Sequence, residues 1–403
     1  MFRNMLTMME QQTADALAKK TSARALWFNG WAKEVLAALE AKKPVIYTTA
    51  YAFPTEILRA FDVVTFDFEL ACGLFGSMGM LESALEAAAD NGMPSDVCAF
   101  HRAAIGASFQ GILPKPDLMV TTSFFCDGKA KTNEILARKY GTEVEYLYVP
   151  LEITADSIRY VKSQLMQIIK KIESKTGRKF DMDHFKEIIE ISNRARESQL
   201  KILELQKLSP APWGGSDMFA YSISGQMFDG SPLKEKINQT FISEMTSRHE
   251  NRKSHPERHR IYWMAWFPTY QSNLNELFKA NQISIPICES FRVNWESIDP
   301  NDPFEGLALK CLKNIYIGDN GRRMENMDQV VSDYRINGAI LFATPACRHS
   351  KTAFRVISEQ FARLNVPFLL LDMEIGDPRQ YQSEQTRTRI EGFVEMLNQK
   401  KKT

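Results

Sequence analysis

Three cysteines stand where a thiolate would be useful. Cys126 closes the apolar run LMVTTSFF and is followed by Asp127-Gly128-Lys129, while Cys347 closes GAILFATPA and is followed by Arg348-His349. Open parallel sheets bind ligands beyond the carboxyl ends of their strands. Two thiols at two such ends therefore predict a cleft with one thiol on each side. Cys98 lies in DVCAFHR, after Gly92, Pro94 and Asp96, at the predicted start of a helix. A helix N-terminus favours thiolate over thiol. Three thiolates from three segments suit an iron–sulfur cluster, whose standard ligand is cysteine. The competing reading is buried structural cysteine. The nearest pair of cysteines, Cys288 and Cys311, is 23 positions apart, so there is no CxxC and no zinc-finger, thioredoxin or ferredoxin-type local spacing. Cys288 inside a strand, Cys311 on a helical face and Cys72 in FELACG are read as buried packing residues.

Other chemistry gathers near the three thiols. Asp67 and Glu69 fall at the end of a predicted strand and are read either as cleft base or cluster ligand, or as surface or capping acids. His101 and His349 lie two or three residues from Cys98 and Cys347. Each is read as a donor to a substrate carbonyl or cluster sulfur, or else as a capped or solvent-facing imidazole. His249, His255 and His259 belong to the charged segment HENRKSHPERHR, which is read as a solvated face.

The elements that must position these residues alternate. Strands are predicted at 44–50, 63–68, 118–125 and 144–151, with helices at 56–61 and 129–139. Strand–helix–strand alternation argues a parallel α/β fold. The middle changes character: apolar residues at helical spacing predict long helices over 157–176 and 181–208, with a third over 233–248. The alternation then resumes, with strands at 260–266, 283–290, 338–346 and 366–374 and a closing helix at 384–399. The expected fold class is α/β, with two Rossmann-like parallel-sheet lobes joined by a helical middle. The expected division is an N-terminal helical segment (1–40), a first lobe (41–155), a connecting region (156–255) and a second lobe (256–403).

Composition removes several classes. The chain has 403 residues, 44% hydrophobic and 25% charged, which is ordinary for a folded globular protein. Fifty Lys and Arg against 49 Asp and Glu leave a net charge of +1, so no basic field exists to hold nucleic acid. No apolar run is long enough to span a membrane, and the N-terminus lacks the h-region of a secretory signal. The expectation is a cytoplasmic protein with reduced thiols. Neither GxxxxGK[ST] nor GxGxxG occurs, so this chain is expected to bind no nucleotide. GxSxG and HExxH are absent as well.

DVCAFHR, FFCDGK and TPACRHSK, in that order, together with the C-terminal DMEIGDPRQYQSEQTRTRIEGFVEML, resemble the 2-hydroxyacyl-CoA dehydratase family, which includes benzoyl-CoA reductase subunits. The resemblance runs from about residue 25 to 400 and takes in TTAYAFPTEILRAFDVVTFDFELACG. It implies one [4Fe-4S] cluster in the cleft between lobes, held by Cys98, Cys126 and Cys347. It also implies a related second iron–sulfur subunit, a separate ATP-hydrolysing activator and an acyl-CoA substrate. In such dehydratases an electron at the thioester carbonyl makes a ketyl radical that expels the neighbouring hydroxyl. Glu69 matches the family's active-site glutamate, as cluster-proximal ligand or base, and His101 is taken with it as catalytic. Tyr51 stands where the dehydratases carry a serine near the thioester carbonyl, with Thr48 and Thr49 as alternative donors. The turn from Pro54 to Phe61 is similar to the dehydratase large subunits, whereas DPNDPFEGLALKCL is similar to a benzoyl-CoA reductase subunit. The first expectation is a dehydratase subunit and the second an aryl-CoA reductase subunit. A double-cubane reductase using all six cysteines, and an electron-carrying or assembly partner without a substrate site, are the remaining alternatives.

Overall fold

The structure is a computed structural model and describes residues 2–49, 53–124, 126–214, 227–251, 256–293 and 295–400. It is an α/β protein with two four-stranded sheets, every strand pair parallel. The first sheet contains β1 (Val45–Tyr47), β2 (Val64–Phe66), β3 (Leu118–Thr122) and β4 (Val144–Leu147), in the order β2-β1-β3-β4. The second contains β5 (His259–Ala265), β6 (Ile283–Cys288), β7 (Gly338–Ala343) and β8 (Phe368–Asp372), in the order β6-β5-β7-β8. All eight expected strands are present, and the two orders are the same. β3, β5 and β7 are buried along their whole length, as expected where helices cover both faces of a parallel sheet. That is why these strands read as continuous apolar runs.

In such an order the chain winds outward in opposite senses from the two middle strands. The crevice between their carboxyl ends is the topological switch point. In the first sheet that point lies between β1 and β3, and in the second between β5 and β7. The loops after β3, β5 and β7 all reach one cleft. Ala265, at the end of β5, has φ 62, a left-handed conformation uncommon for a residue with a side chain. It turns the chain sharply into the cleft loop that begins at Trp266.

Two expected boundaries move. The second strand stops at Phe66 because Asp67 caps the helix Phe68–Ser77, its Oδ1 accepting from Glu69 N at 2.8 Å and Leu70 N at 3.2 Å. Glu69 thus opens a helix rather than closing a strand. Cys126 likewise lies beyond β3, which ends at Thr122, and immediately precedes the helix Asp127–Tyr140. The middle helices are Ala155–Thr176, Met182–Leu205 and Pro232–Glu250, capped by Thr154, Asp181 and Ser231 respectively. Ala155–Thr176 buries Val161, Leu165, Ile168, Ile169 and Ile172 in one cluster with Ile46, Leu118 and Val120 of the first sheet. His259 is the first residue of β5 and is fully buried, so it is not part of a solvated histidine face; His249 is exposed and His255 lies outside the described residues. No described helix is long and apolar enough to cross a membrane.

Candidate active site

The carboxyl ends of both sheets open into a cleft of about 1630 Å3 lined by Cys98, Cys126 and Cys347. Each thiol precedes a helix: Cys98 the helix Ala99–Phe109, Cys126 the helix Asp127–Tyr140 and Cys347 the short helix Arg348–Thr352. The sequence could find these three because strand ends and helix starts are local signals, while their meeting is tertiary. Their protonation differs. Burial raises the Cys126 thiol, but the His101 imidazole, with Nε2 at 3.9 Å from Sγ, overcomes this and brings it below the ordinary thiol value. Burial, reinforced by the neighbouring charge of Cys126, pushes Cys98 well up. Cys347 is raised by burial, with Ser350 opposing it and Cys126 adding to it. Cys126 is therefore the electrostatic neighbour of both other thiols.

Behind Cys126 runs a chain of alternating charges. His101 Nε2 lies 3.1 Å from Glu69 Oε1, and Lys129 Nζ lies 2.5 Å from Glu69 Oε2. Burial alone would raise the Glu69 carboxyl, yet Lys129 and His101 together hold it down at about 2. Burial alone would lower His101, yet Cys126 and Glu69 lift it to about 9. Imidazolium, carboxylate and ammonium thus form one compensated unit. Asp67 fixes the start of the helix that carries Glu69, and so fixes where Glu69 points. Gly128 leaves room for the imidazole: a Cβ there would sit 2.8 Å from His101 Nδ1 and 3.7 Å from Cys126 Sγ. Lys129 lies inside FFCDGK and was not singled out by sequence reasoning. Its role depends on a glutamate sixty positions earlier, and only the fold brings the two together.

Across the cleft the second sheet carries its own buried pair. Arg323 donates from Nε and Nη2 to Glu289 at 2.7 and 2.9 Å, and the Tyr316 hydroxyl donates to Glu289 Oε2 at 3.2 Å. Tyr316 lines the cleft, and His349 meets its ring edge-on at 4.6 Å. Burial, then the Arg323 charge, lower His349 to about 4, so it is neutral at physiological pH.

The remaining expected residues are not gathered here. Cys72, Cys288 and Cys311 are buried and do not line the cleft. Thr48 and Thr49 are buried, their hydroxyls have no hydrogen-bond partner among the described residues, and neither lines the cleft. Tyr51 lies outside the described residues. Among the described residues, no three His, Cys, Asp or Glu side chains are arranged to hold a single metal ion.

Fold and site together define an α/β protein with a thiol-lined cleft at the switch points of two parallel sheets. Comparison with known proteins agrees. The sequence model of the family described as 2-hydroxyglutaryl-CoA dehydratase, D-component, matches residues 50–397. The chain belongs to this family of dehydratase enzymes, as its motifs led us to expect. It is 24% identical over 383 residues to the (R)-phenyllactyl-CoA dehydratase alpha subunit of Clostridium sporogenes, covering 90% of this chain and 93% of that one. It is 25% identical over 411 residues to the (R)-2-hydroxyisocaproyl-CoA dehydratase alpha subunit of Clostridioides difficile, covering 96% and 98%. A benzoyl-CoA reductase subunit of Thauera aromatica is 24% identical over 358 residues, covering 81% of each chain. These relatives are named as subunits of larger enzymes.

Proposed function

We propose that this chain is a catalytic subunit of a cytoplasmic 2-hydroxyacyl-CoA dehydratase. The observation that carries the reading is the convergence of three thiols, each at a helix start, beside the Lys129–Glu69–His101 unit. The two sheets are then the cores of two lobes joined by the middle helices. A related second iron–sulfur subunit and a separate ATP-hydrolysing activator complete the enzyme, and the hydroxyl leaves from a ketyl radical of the acyl-CoA substrate.

The residues present fit a [4Fe-4S] cluster. The donor set is all thiol, and the three thiols line one cleft. The cleft exceeds the ~300–1,000 Å3 of an ordinary small-molecule site. Four irons also spread their ligands more widely than one ion does, so the lack of a compact single-ion site among the described residues does not conflict with a cluster. Held by Cys98, Cys126 and Cys347, the cluster would supply an electron port and an iron with an open position as Lewis acid.

The protein's own groups do the rest. The helix N-terminus behind Cys126 and the His101 imidazole favour its anionic form, while burial keeps Cys98 and Cys347 toward the thiol. His101 holds a proton at Nε2, between Glu69 and Cys126. Glu69, held ionised by two cations, is a weak base, so its task is to anchor that imidazolium and lend an oxygen to the cleft. Tyr51 donates to the thioester carbonyl, a role that Thr48 and Thr49, buried away from the cleft, do not share.

Anaerobic iron and sulfide quantitation tests the reading. About four irons per chain, lost in Cys98→Ala, Cys126→Ala and Cys347→Ala and kept in Cys288→Ala and Cys311→Ala, are expected. A chain that folds without iron alongside cluster-assembly machinery would sink it. The match to a benzoyl-CoA reductase subunit supports a second reading, an aryl-CoA reductase. Product analysis separates the two, because a dehydratase releases water and leaves the substrate's oxidation level unchanged.

A further inference from the structure

A buried cation stands behind Cys98, apart from the Lys129–Glu69–His101 unit. Arg102 lies four residues after Cys98 on the helix Ala99–Phe109, and its side chain is 5% exposed. Its backbone N–H donates to the Cys98 carbonyl at 3.0 Å, and its Nε turns back to donate to the Val97 carbonyl at 2.9 Å. The guanidinium therefore sits at the start of the helix, beside the residue that carries the thiol. That is an unfavourable place for a cation, because the N-terminal end of a helix is already positive. Burial adds a desolvation cost, and replacing a buried ion pair by apolar side chains of similar volume is often neutral or stabilising. Stability alone does not account for an arginine here.

Its counter-charge is Asp377, in the turn after β8. Asp377 Oδ2 lies 3.6 Å from Arg102 Nη2, and its side chain is 3% exposed. That is ion-pair distance but longer than a hydrogen bond, and among the described residues Arg102 Nη2 has no hydrogen-bond partner. Asp377 instead accepts from Arg379, whose Nε lies 2.8 Å from Oδ1 and Nη2 2.9 Å from Oδ2. One carboxylate thus serves two guanidinium groups, and the charge of Arg102 is only partly offset. The other acid here, Glu374, spends Oε1 on the backbone N–H groups of Ile375 and Gly376, at 2.9 and 3.4 Å.

The turn is held in place from both sides. At Gly376 a Cβ would lie 3.2 Å from both Ala99 Cβ and the Phe100 ring, the two residues after Cys98. Thr269 N and the Tyr270 hydroxyl donate to the carbonyls of Ile375 and Glu374, at 2.9 and 2.8 Å. Packing therefore fixes where the Arg102 charge stands relative to Cys98.

An iron–sulfur cluster becomes more negative when it takes up an electron. Its potential follows cluster charge, hydrogen bonds to the sulfurs and exposure. A positive charge fixed in a buried site is weakly screened by salt, and it favours the reduced form. We propose that the buried Arg102–Asp377 pair sets the reduction potential of a cluster bound at Cys98: Arg102 raises it, and Asp377 limits how much of that charge is felt. Both are positioning residues, since neither lines the cleft. The assignment rests on the three-thiol cluster of the proposed function and adds a control on its potential.

The test is an anaerobic redox titration of the iron-loaded chain, followed by EPR. Arg102→Met is expected to lower the midpoint by about 59 mV or more, a tenfold shift in a one-electron equilibrium. Arg102→Lys keeps the charge and should stay near the wild-type value. Asp377→Asn removes the counter-charge and should move the midpoint upward. A purely structural role gives no reason for opposite signs, so the signs carry the test. Asp377→Asn carries it alone if Arg102→Met loses its iron. Midpoints that stay together, or that move in the same direction in Arg102→Met and Asp377→Asn, overturn the assignment and leave the cluster reading standing. A wild-type chain that takes up no iron overturns that reading, and the assignment with it.

Discussion

Lys129 shows how much a single buried charge decides here. Its side chain is 2% exposed and its ammonium lies 2.5 Å from Glu69. Removing one member of a buried pair costs about 3–5 kcal/mol, because the other is left uncompensated. Lys129→Met is therefore expected to lower the unfolding free energy of the cluster-free chain by about 3 kcal/mol, measured in urea. Adding Glu69→Gln should restore part of the loss; if the double variant is no more stable than Lys129→Met, the two side chains do not act as a pair. His101 gives a second outcome at the same scale. It brings the Cys126 thiol below the ordinary value, so His101→Ala should raise it. In cluster-free protein, the pH midpoint for alkylation of Cys126, followed by mass spectrometry, should move up by about one unit or more. An unchanged midpoint would mean that the imidazole is neutral or turned away. Sequence alone could name Cys126 and His101 because both flank a strand end or a helix start. It could not name Lys129, whose partner is set by packing and not by spacing.

Between elements, the same logic appears away from the cleft. Lys310, on the helix Pro303–Leu312, reaches Glu56 Oε1 and Asp229 Oδ2, each at 2.6 Å. Asp229 also accepts from Lys234, and Glu56 accepts from Ser192 at 2.8 Å. Four helices from distant parts of the sequence are tied at this point. Burial would raise the Asp229 carboxyl, but Lys234 and Lys310 hold it at about 2 against an ordinary 3.8. A carboxyl whose folded pKa is depressed stabilises the fold above its unfolded value and loses that contribution as pH falls through the folded one. The contribution of Asp229 is therefore complete above about pH 4 and fades toward pH 2. Lys310→Met should bring acid unfolding to higher pH in a circular-dichroism titration, and an unmoved transition would show that the tie carries no stability. The helices meeting here were legible one by one, from apolar spacing and from caps such as Asp181 and Ser231. Their junction was not, because a buried ion pair between residues 81 and 254 positions apart leaves no local trace. The boundary at Asp67 was missed for a smaller reason: its capping side chain ends β2 two residues before the apolar run ends.

At the scale of the whole molecule, the two sheets repeat one plan. Their strand orders match, β2-β1-β3-β4 and β6-β5-β7-β8, and in each a thiol stands four residues beyond the third strand, Cys126 after Thr122 and Cys347 after Ala343. No repeat is visible in the sequence, because parallel strands buried on both faces need only apolar bulk and retain little residue identity. The plan has a mechanical consequence. A group bound by Cys98 and Cys126 on one side and Cys347 on the other would join segments that the polypeptide keeps more than 200 residues apart. Binding to the native state alone stabilises it by mass action, and the effect should reach both ends of the link. Anaerobic loading with iron and sulfide should therefore slow amide exchange at the start of Asp127–Tyr140 and also in Arg348–Thr352, with chelation reversing both. Cys347→Ala should lose the protection on both sides, since three thiols hold one group. If only the first segment gains protection on loading, Cys347 is not a ligand, and the cleft is closed by packing and not by a shared cluster.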